Sequence, residues 1–414
     1  LPVKKNDSGA DDKMLKGKNV LLGMTGGIAA YKTGELIREC IRRGAHVKVV
    51  MTEHAREFMT PMTVQTLSQN PVFTDMFSLI KDFDIAHISL AEFADIAVIA
   101  PATANVIGKI ASGIADNLLT TVVMATKAPV LICPAMNMNM YANPIVQENI
   151  SRLSTLGYRF VEPGYGELAC KVTGPGRLAE VPEIMEAIET TLTDQDLSEE
   201  RILVTAGPTR EPFDPVRFIS NHSSGKMGYA LAKMAKRRGA QVTLISGPSA
   251  LERPVGVRFI SVSTAVEMRD AVMAHLERAT VVIKAAAVAD YRPAAVSSSK
   301  IKKKEGPLTI ELVRNPDIVS EIGRQKGDRI LVGFAMESEN LVENAKAKLA
   351  AKRMDMIVAN DLTQEGAGFQ TDTNIIQILD RDGGIEALPL MDKGDVANRI
   401  LDRIRAMRVA HPRY

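Results

Sequence analysis

Two short glycine-containing loops in this 414-residue chain are suited to holding phosphate. The first lies in KNVLLGMTGGIAAYK (18–32), the second in RILVTAGPTREPFDPVRFISNHSSGKMG (201–228). Each follows a short apolar run and leads into a helical stretch. Free backbone N–H groups at a helix amino terminus, aided by the helix dipole, bind phosphate without a nearby Lys or Arg. One such loop alone is evenly balanced between a tight turn and a ligand site. Two in one chain favour two small-molecule sites. Neither matches G-x-G-x-x-G, so the ordinary dinucleotide fingerprint is absent. SSGKMG (223–228) resembles a P-loop fragment, but Met227 stands where a magnesium-binding Ser or Thr belongs and the upstream Gly is missing.

Other segments carry groups able to do chemistry. PAMNMNMY (134–141) interleaves Asn137 and Asn139 with Met136, Met138 and Met140 directly after a strand, at the edge where open α/β sheets bind ligands. By residue type alone it is a Met-rich loop filling core gaps. TREPFDPVRFISNHSSGKMG (209–228) is long and polar, and core packing does not explain it. Lys300, Lys302, Lys303 and Lys304, as a bare run, read as a solvated loop. Lys348 and Lys352, at i and i+4, read as one exposed helix face. His222 reads as a loop-fixing residue, and His46 and His54 as structural or surface groups. Of the three cysteines, Cys40 keeps helical spacing with Ile37 and Ile41, Cys133 sits in an apolar strand, and Cys170 lies in a polar segment. An odd set without C-x-x-C argues for a reducing, cytoplasmic setting and against a disulfide frame or zinc site.

The elements that must position these groups alternate between strand and helix. The amino-terminal part has candidate strands at 19–24, 46–52, 95–101, 130–136 and 158–163, with helices at 28–43, about 103–126 and 145–156. The carboxyl-terminal part has strands at 201–207, 241–247, 257–262, 281–288, 329–336 and 356–361, with helices at about 226–238, 265–278, 316–325 and 339–353. A hairpin with DGG at its turn spans 374–390, and a helix at about 393–407 follows. Continuous apolar strands separated by helices imply parallel sheets covered on both faces. The expected division is a disordered leader 1–17, a domain 18–190, a linker 191–200 and a domain 201–408, with 292–306 a flexible loop. Lys and Arg number 51 against 49 Asp and Glu, so the net charge of +2 gives no argument for nucleic acid or a membrane surface. No apolar run is long enough to span a bilayer.

At this point the residues acquire relatives. PAMNMNMY resembles the P-x-M-N-x-x-M-W motif of the homo-oligomeric flavin-containing cysteine decarboxylases, with Tyr141 in place of Trp. TGGIAAYK (25–32) is similar to that family's flavin-phosphate turn, and APATANVIGKIASGIADNLL (100–119) to its flavin-cradling helix entry. AHISLAEFAD (86–95) carries His87 at the family's active-site histidine. LACKVTGPGR (168–177) places Cys170 at its proton donor, with Lys171 where Gly is usual. The second polar loop, KAAAVADYRP (284–293), VRNPDIV (313–319) and VGFAMES (332–338) resemble phosphopantothenate–cysteine ligases. Together, about 18 to 405 resembles the bifunctional bacterial coenzyme A biosynthesis family. The implied fold is two Rossmann-like or flavodoxin-like parallel-sheet α/β domains in tandem.

The resemblance implies two reactions. In the first half FMN, held by Thr25, Gly26, Gly27, Ala100, Thr103 and Met140, oxidises a cysteinyl thiol to a thioaldehyde, the electron sink that decarboxylation needs. Asn137 would hydrogen-bond the substrate carboxylate and His87 would take a proton. Cys170 would deliver one, since a thiol of pKa about 8.5 is mostly protonated at neutral pH. In the second half 4'-phosphopantothenate attacks CTP, with magnesium, to give an acyl-cytidylate that the amine of cysteine opens. Asn221 and Arg217 would orient the acyl-phosphate and Lys300 neutralise the triphosphate. Lys284, Ala285, Ala286, Asp290, Pro316, Asp317, Ile318, Val319, Phe334, Lys348 and Lys352 would line the nucleotide, Asp290 also serving magnesium. The choice of CTP comes wholly from the resemblance. Trimeric decarboxylase contacts and dimeric ligase contacts would combine into a homo-oligomer such as a dodecamer. The competing class, a tandem nicotinamide oxidoreductase, lacks both its glycine fingerprint and an acidic ribose ligand.

Overall fold

The computed structural model describes residues 15–77, 85–167, 172–303, 307–337, 341–361 and 371–410. The chain divides into two compact units at Thr193/Asp194.

In the first unit, β1 (Asn19–Met24), β2 (His46–Met51), β3 (Val72–Phe73), β4 (Ile96–Ala102), β5 (Val130–Pro134) and β6 (Arg159–Phe160) form one parallel sheet. Their order is 3-2-1-4-5-6, the doubly wound Rossmann arrangement. Side-chain alternation between two covered faces explains why β1 is apolar from Val20 to Met24. Val20, Leu22 and Met24 pack with Leu36, Ile37, Ile184 and Ile188 from helices on one face. Leu21 packs with Leu90, Val106 and Leu119 on the other. Gly23 makes room for the Leu119 side chain, whose Cδ1 would lie 2.5 Å from a Cβ there. An antiparallel hairpin, β7 (Gly164–Glu167) and β8 (Thr173–Arg177), completes the unit. Cys40 and Cys133 are buried core residues, and burial pushes the Cys40 thiol up to about 12.

In the second unit, β9 (Arg201–Ala206), β10 (Arg210–Pro212), β11 (Phe218–Ser220), β12 (Gln241–Ser246), β13 (Arg258–Ser261), β14 (Val281–Lys284), β15 (Tyr291–Pro293), β16 (Leu312–Arg314), β17 (Ile330–Glu337), β18 (Met356–Asp361), β19 (Thr373–Asp380) and β20 (Ile385–Asp392) follow. The main sheet runs 13-12-9-14-17-18-19-20, its first six strands parallel and the last two joined as the expected hairpin. Leu203, Val282 and Leu331 meet Met268, Val272, Ile322 and Leu349 from the helices on one face. β10 with β11, and β15 with β16, form small antiparallel pairs beside the main sheet.

Four expectations change. The helix expected at about 103–126 is two, Ala104–Ala111 and Leu118–Ala125, broken at Gly113, whose φ of 72° a helix does not accept. The leader expected at 1–17 lies outside the described residues up to 14, but Leu15 is buried in the core and its N–H donates to the Arg43 carbonyl at 3.1 Å. The linker 191–200 begins as the end of helix Val181–Leu192. It then packs on the second unit, with Leu197 buried and Asp196 paired to Arg238 at 2.7 Å. The loop 292–306 is pinned over its described part: Arg292 lies in β15, and the Ser297 N–H donates to the Phe213 carbonyl at 3.0 Å.

Leu15→Ala tests the first boundary. Removing a buried leucine side chain leaves a cavity and costs about 2–5 kcal/mol. We expect the first urea transition of the full chain, followed by circular dichroism, to move to clearly lower urea. An unchanged midpoint would mean that 15–17 is part of a leader.

Candidate functional sites

Each sheet reverses its strand order once, between β1 and β4 and between β9 and β14. Helices leave such neighbours on opposite sides, so a crevice opens at their carboxyl ends. In both units a buried threonine hydroxyl closes the floor of that crevice. Thr25 Oγ1 donates to the Pro101 carbonyl at 2.7 Å and accepts the Thr103 N–H at 3.1 Å. Thr205 Oγ1 accepts the Ala286 N–H at 3.3 Å, and Thr209 Oγ1 accepts that of Ala289 at 3.0 Å.

The crevice of the first unit is a cavity of about 1180 Å³. Thr25, Gly26, Gly27, Thr103, Asn137 and Met140 line it. Two helices begin at its wall, Ala30–Arg42 and Ala104–Ala111, and neither has a side-chain cap or an acidic first turn. In the first helix the N–H groups of Ala30 and Lys32 already close on the Gly27 and Ala29 carbonyls at 2.9 and 3.0 Å, so its dipole, together with the dipole and amino-terminal N–H groups of the second, makes the cavity attractive to an anion. Its cations face carboxylates: Lys32 meets Glu180 at 2.8 Å, and Lys109 meets Asp116 at 2.6 Å. Asn137 caps the short helix Met138–Tyr141, its Oδ1 accepting the Asn139 N–H at 2.8 Å, which fixes the amide on the wall. β8 holds this loop in place. The Met136 N–H donates to the Gly176 carbonyl at 2.9 Å, and a Cβ on Gly176 would fall 2.2 Å from the Met136 oxygen. The Tyr141 hydroxyl donates to Glu162 at 2.9 Å; burial and that carboxylate push it up to about 12.

Several expected residues stand elsewhere. Thr25 is on the wall, but its hydroxyl is committed to β4, so it positions the site. Ala100 is buried behind the wall, its carbonyl accepting the Thr33 hydroxyl at 2.7 Å. His87 is half-buried on helix Ala86–Phe93, away from the wall. Cys170 and Lys171 lie outside the described residues. Sequence reasoning set His54 aside as structural or surface, yet it lines the cavity beside Gly26. Its position just past β2, the neighbour of β1, was the available signal.

In the second unit the polar loop folds as the β10–β11 hairpin with a tight turn at Asp214. Asp214 Oδ1 accepts the N–H groups of Val216 and Arg217, each at 2.8 Å. The Arg217 guanidinium bonds Asp214 Oδ2 at 2.9 Å and the Ile301 carbonyl at 2.9 Å. Arg217 thereby holds the Asp214 carboxyl well below the usual carboxylate range. The Ile301 N–H returns to Asp214 at 3.2 Å, which fixes the backbone beside exposed Lys300. Arg217 and Asp214 thus fix the loop that carries Lys300. Asn221 Nδ2 donates to the Ala287 carbonyl at 3.1 Å, so it stands beside the loop after β14.

A charged cluster lies next to that loop. Lys284 Nζ donates to the Ala286 carbonyl at 3.1 Å. Burial and the nearby Lys352 ammonium push it down to about 8, against the pull of Asp317 and Asp290. Lys352 pairs with Asp317 at 3.0 Å, and Asp317 caps helix Ile318–Gln325 through the Ser320 N–H at 3.1 Å. Ile318 is a core residue and Val319 packs against the core, whereas Pro316 and Phe334 are half-buried. Lys348 is exposed. Asn360, at the end of β18, is a residue the sequence reading missed. It is buried, and its Oδ1 has no hydrogen-bond partner among the described residues. An orphan acceptor at a sheet's carboxyl edge suits a ligand donor.

Comparison with known proteins accounts for both halves. Residues 8–193 match the flavoprotein family, and residues 197–407 match the DNA/pantothenate metabolism flavoprotein C-terminal domain. The chain is 49% identical to the coenzyme A biosynthesis bifunctional protein CoaBC of Bacillus subtilis (strain 168), over 95% of this chain and 98% of that protein. It is 45% identical to CoaBC of Escherichia coli (strain K12), over 94% and 97%. Among solved structures, the C-terminal domain of a CoaBC protein is 45% identical over 52% of this chain and 98% of its own, with a TM-score of 0.46. A PPC decarboxylase mutant complexed with pantothenoylaminoethenethiol is 34% identical over 41% and 96%, with a TM-score of 0.38. The chain, a flavoprotein-type unit followed by a ligase-type unit, belongs to the family of bifunctional coenzyme A biosynthesis proteins.

Proposed function

We propose that the carboxyl-terminal unit condenses 4'-phosphopantothenate with cysteine using CTP, and that the amino-terminal unit converts the product, 4'-phosphopantothenoylcysteine, to 4'-phosphopantetheine with FMN. The observation that carries this reading is the presence of two chemically unlike sites. One is a roomy cavity edged by uncapped helix ends, the other a lysine–carboxylate cluster beside a pinned polar hairpin.

The cavity fits a flavin mononucleotide. A Cβ on Gly27 would meet only Thr103 Cγ2, at 3.8 Å, so the backbone there is open to close approach. Bound FMN would accept two electrons from the cysteinyl thiol and return them to the enethiol left when carbon dioxide departs. The Asn137 amide holds the substrate carboxylate by hydrogen bonds without neutralising it, which leaves it able to depart as carbon dioxide. The Cys170 thiol protonates the product carbon. His87, which stands away from its own cavity wall, takes the thiol proton in the cavity of a neighbouring copy. This agrees with trimeric contacts in this unit; dimeric contacts in the other would close the assembly as a dodecamer. The absence, among the described residues, of a helix long and apolar enough to cross a membrane is compatible with a cytoplasmic enzyme.

In the second unit the Asn221 amide orients the acyl-phosphate. Lys300, held out by the Asp214–Arg217–Ile301 bonds, meets the triphosphate. Lys284 and Lys352 add positive charge, and the Asn360 oxygen accepts from the nucleotide. Magnesium would neutralise the departing pyrophosphate. Asp290 is exposed and suits an ion that keeps most of its waters and takes its other ligands from phosphates.

Two variants separate the activities. Cys170→Ser should retain CTP-dependent condensation and yield no phosphopantetheine. Asn221→Asp should lose condensation yet decarboxylate supplied 4'-phosphopantothenoylcysteine. Chromatography of the products checks both, and undiminished phosphopantetheine from Cys170→Ser removes Cys170 from the mechanism. The Lys284 ammonium predicts a pH dependence. It is charged below about pH 8 and loses its proton above, so CTP should bind more weakly as pH rises through that value. Titration calorimetry should find a fall of about tenfold, the scale of one charge-assisted hydrogen bond, absent in Lys284→Met. Identical pH profiles would exclude Lys284 from the nucleotide site.

A further inference from the structure

We infer that His54 is an additional ligand of the flavin's phosphate, donating a hydrogen bond from its imidazole to the phosphomonoester. The inference rests on the flavin reading of the amino-terminal cavity. The strand-to-turn geometry fixes the residue. The Thr52 N–H continues the ladder to the Met24 carbonyl at 3.0 Å, the Ala55 N–H closes on the Thr52 carbonyl at 3.0 Å, and Ala55 is fully buried. The turn Glu53–Glu57 is thereby pressed onto the two-glycine loop. A Cβ on Gly26 would lie 2.4 Å from the His54 Cβ and 3.0 Å from its carbonyl oxygen. His54 thus flanks the uncapped amino terminus of helix Ala30–Arg42, where a phosphate would sit.

The other charged groups of the wall make the role specific. Lys32, on the helix, and Arg177, on β8, both face Glu180, at 2.8 and 3.9 Å. Lys109 faces Asp116 at 2.6 Å. Glu53 on the same turn and Glu167 on β7 are anionic. Among the described residues the His54 imidazole has no hydrogen-bond or ion-pair partner. It is therefore a side-chain donor at the glycine turn that an incoming phosphate can engage without first displacing a carboxylate. An imidazole can donate from either ring nitrogen, so it can meet a phosphate oxygen directly.

The experiment compares FMN with riboflavin, which lacks the phosphate. The full-length protein is freed of flavin, and dissociation constants for both are measured by flavin fluorescence at pH 6. Wild-type protein, His54→Ala, His54→Gln and His54→Lys are compared. A charge-assisted hydrogen bond corresponds to about tenfold or more in affinity. At pH 6, His54→Ala should weaken FMN by that factor and leave riboflavin unchanged. His54→Lys should recover FMN affinity. Equal FMN affinity in wild-type and alanine proteins would overturn the inference, as would an equal loss for both flavins or a loss in His54→Lys matching that of alanine. Failure of wild-type protein to bind either flavin would instead overturn the flavin reading of the cavity, and this inference with it.

Discussion

A buried threonine hydroxyl spanning two diverging strands is the interaction on which both sites depend. Where a parallel sheet reverses its strand order, the chains leaving adjacent strands part, and their first N–H and C=O groups lose sheet partners. Water cannot reach the floor of the crevice, so each orphan group would carry its full desolvation cost. Thr25 answers this by donating to Pro101 and accepting from Thr103. Thr205 and Thr209 answer it by accepting from Ala286 and Ala289. The crevice then has a closed floor and an open mouth, and the loops above it have a fixed base. A hydroxyl suits this position because it can donate and accept at once, on a side chain short enough to stay within the strand pair.

Above these similar floors the electrostatics differ. In the first unit the cations of the cavity face carboxylates, and the helix ends supply the attraction for an anion. Such a site suits one phosphate and leaves the remaining space to flat or neutral groups. In the second unit burial and then the nearby Lys352 depress the Lys284 ammonium, while Asp317 and Asp290 pull the other way. That site matches a ligand carrying several negative charges. The order of the sites in the chain is the reverse of their order in the proposed chemistry, since the carboxyl-terminal unit makes what the amino-terminal unit consumes.

Most of the framework was legible from local pattern. β1 and β9 announce themselves as largely apolar runs ending in a glycine loop, because a strand covered on both faces leaves few positions for polar side chains. The DGG turn marked its hairpin, where Asp380 Oδ1 accepts the Gly384 N–H at 2.7 Å. What stayed hidden depends on contacts distant in sequence. Leu15 looks like part of a polar leader until Arg43 and the core around it are in place. Lys300 looks like one charge in a solvated run until Asp214 and Arg217, more than eighty residues earlier, hold Ile301. Family register had selected Arg217 as a substrate ligand, but only its neighbours reveal that its guanidinium is engaged. His54 and Asn360 carry no motif. Each became visible through an absence of partners, which residue spacing does not report.

The most direct test follows one reaction mixture of purified protein with 4'-phosphopantothenate, cysteine and CTP, with products resolved over time by mass spectrometry. Two unlike sites acting in sequence predict that 4'-phosphopantothenoylcysteine rises first and then declines as 4'-phosphopantetheine and carbon dioxide accumulate, with neither formed when CTP is omitted. Absence of any CTP-dependent condensation product would contradict that account.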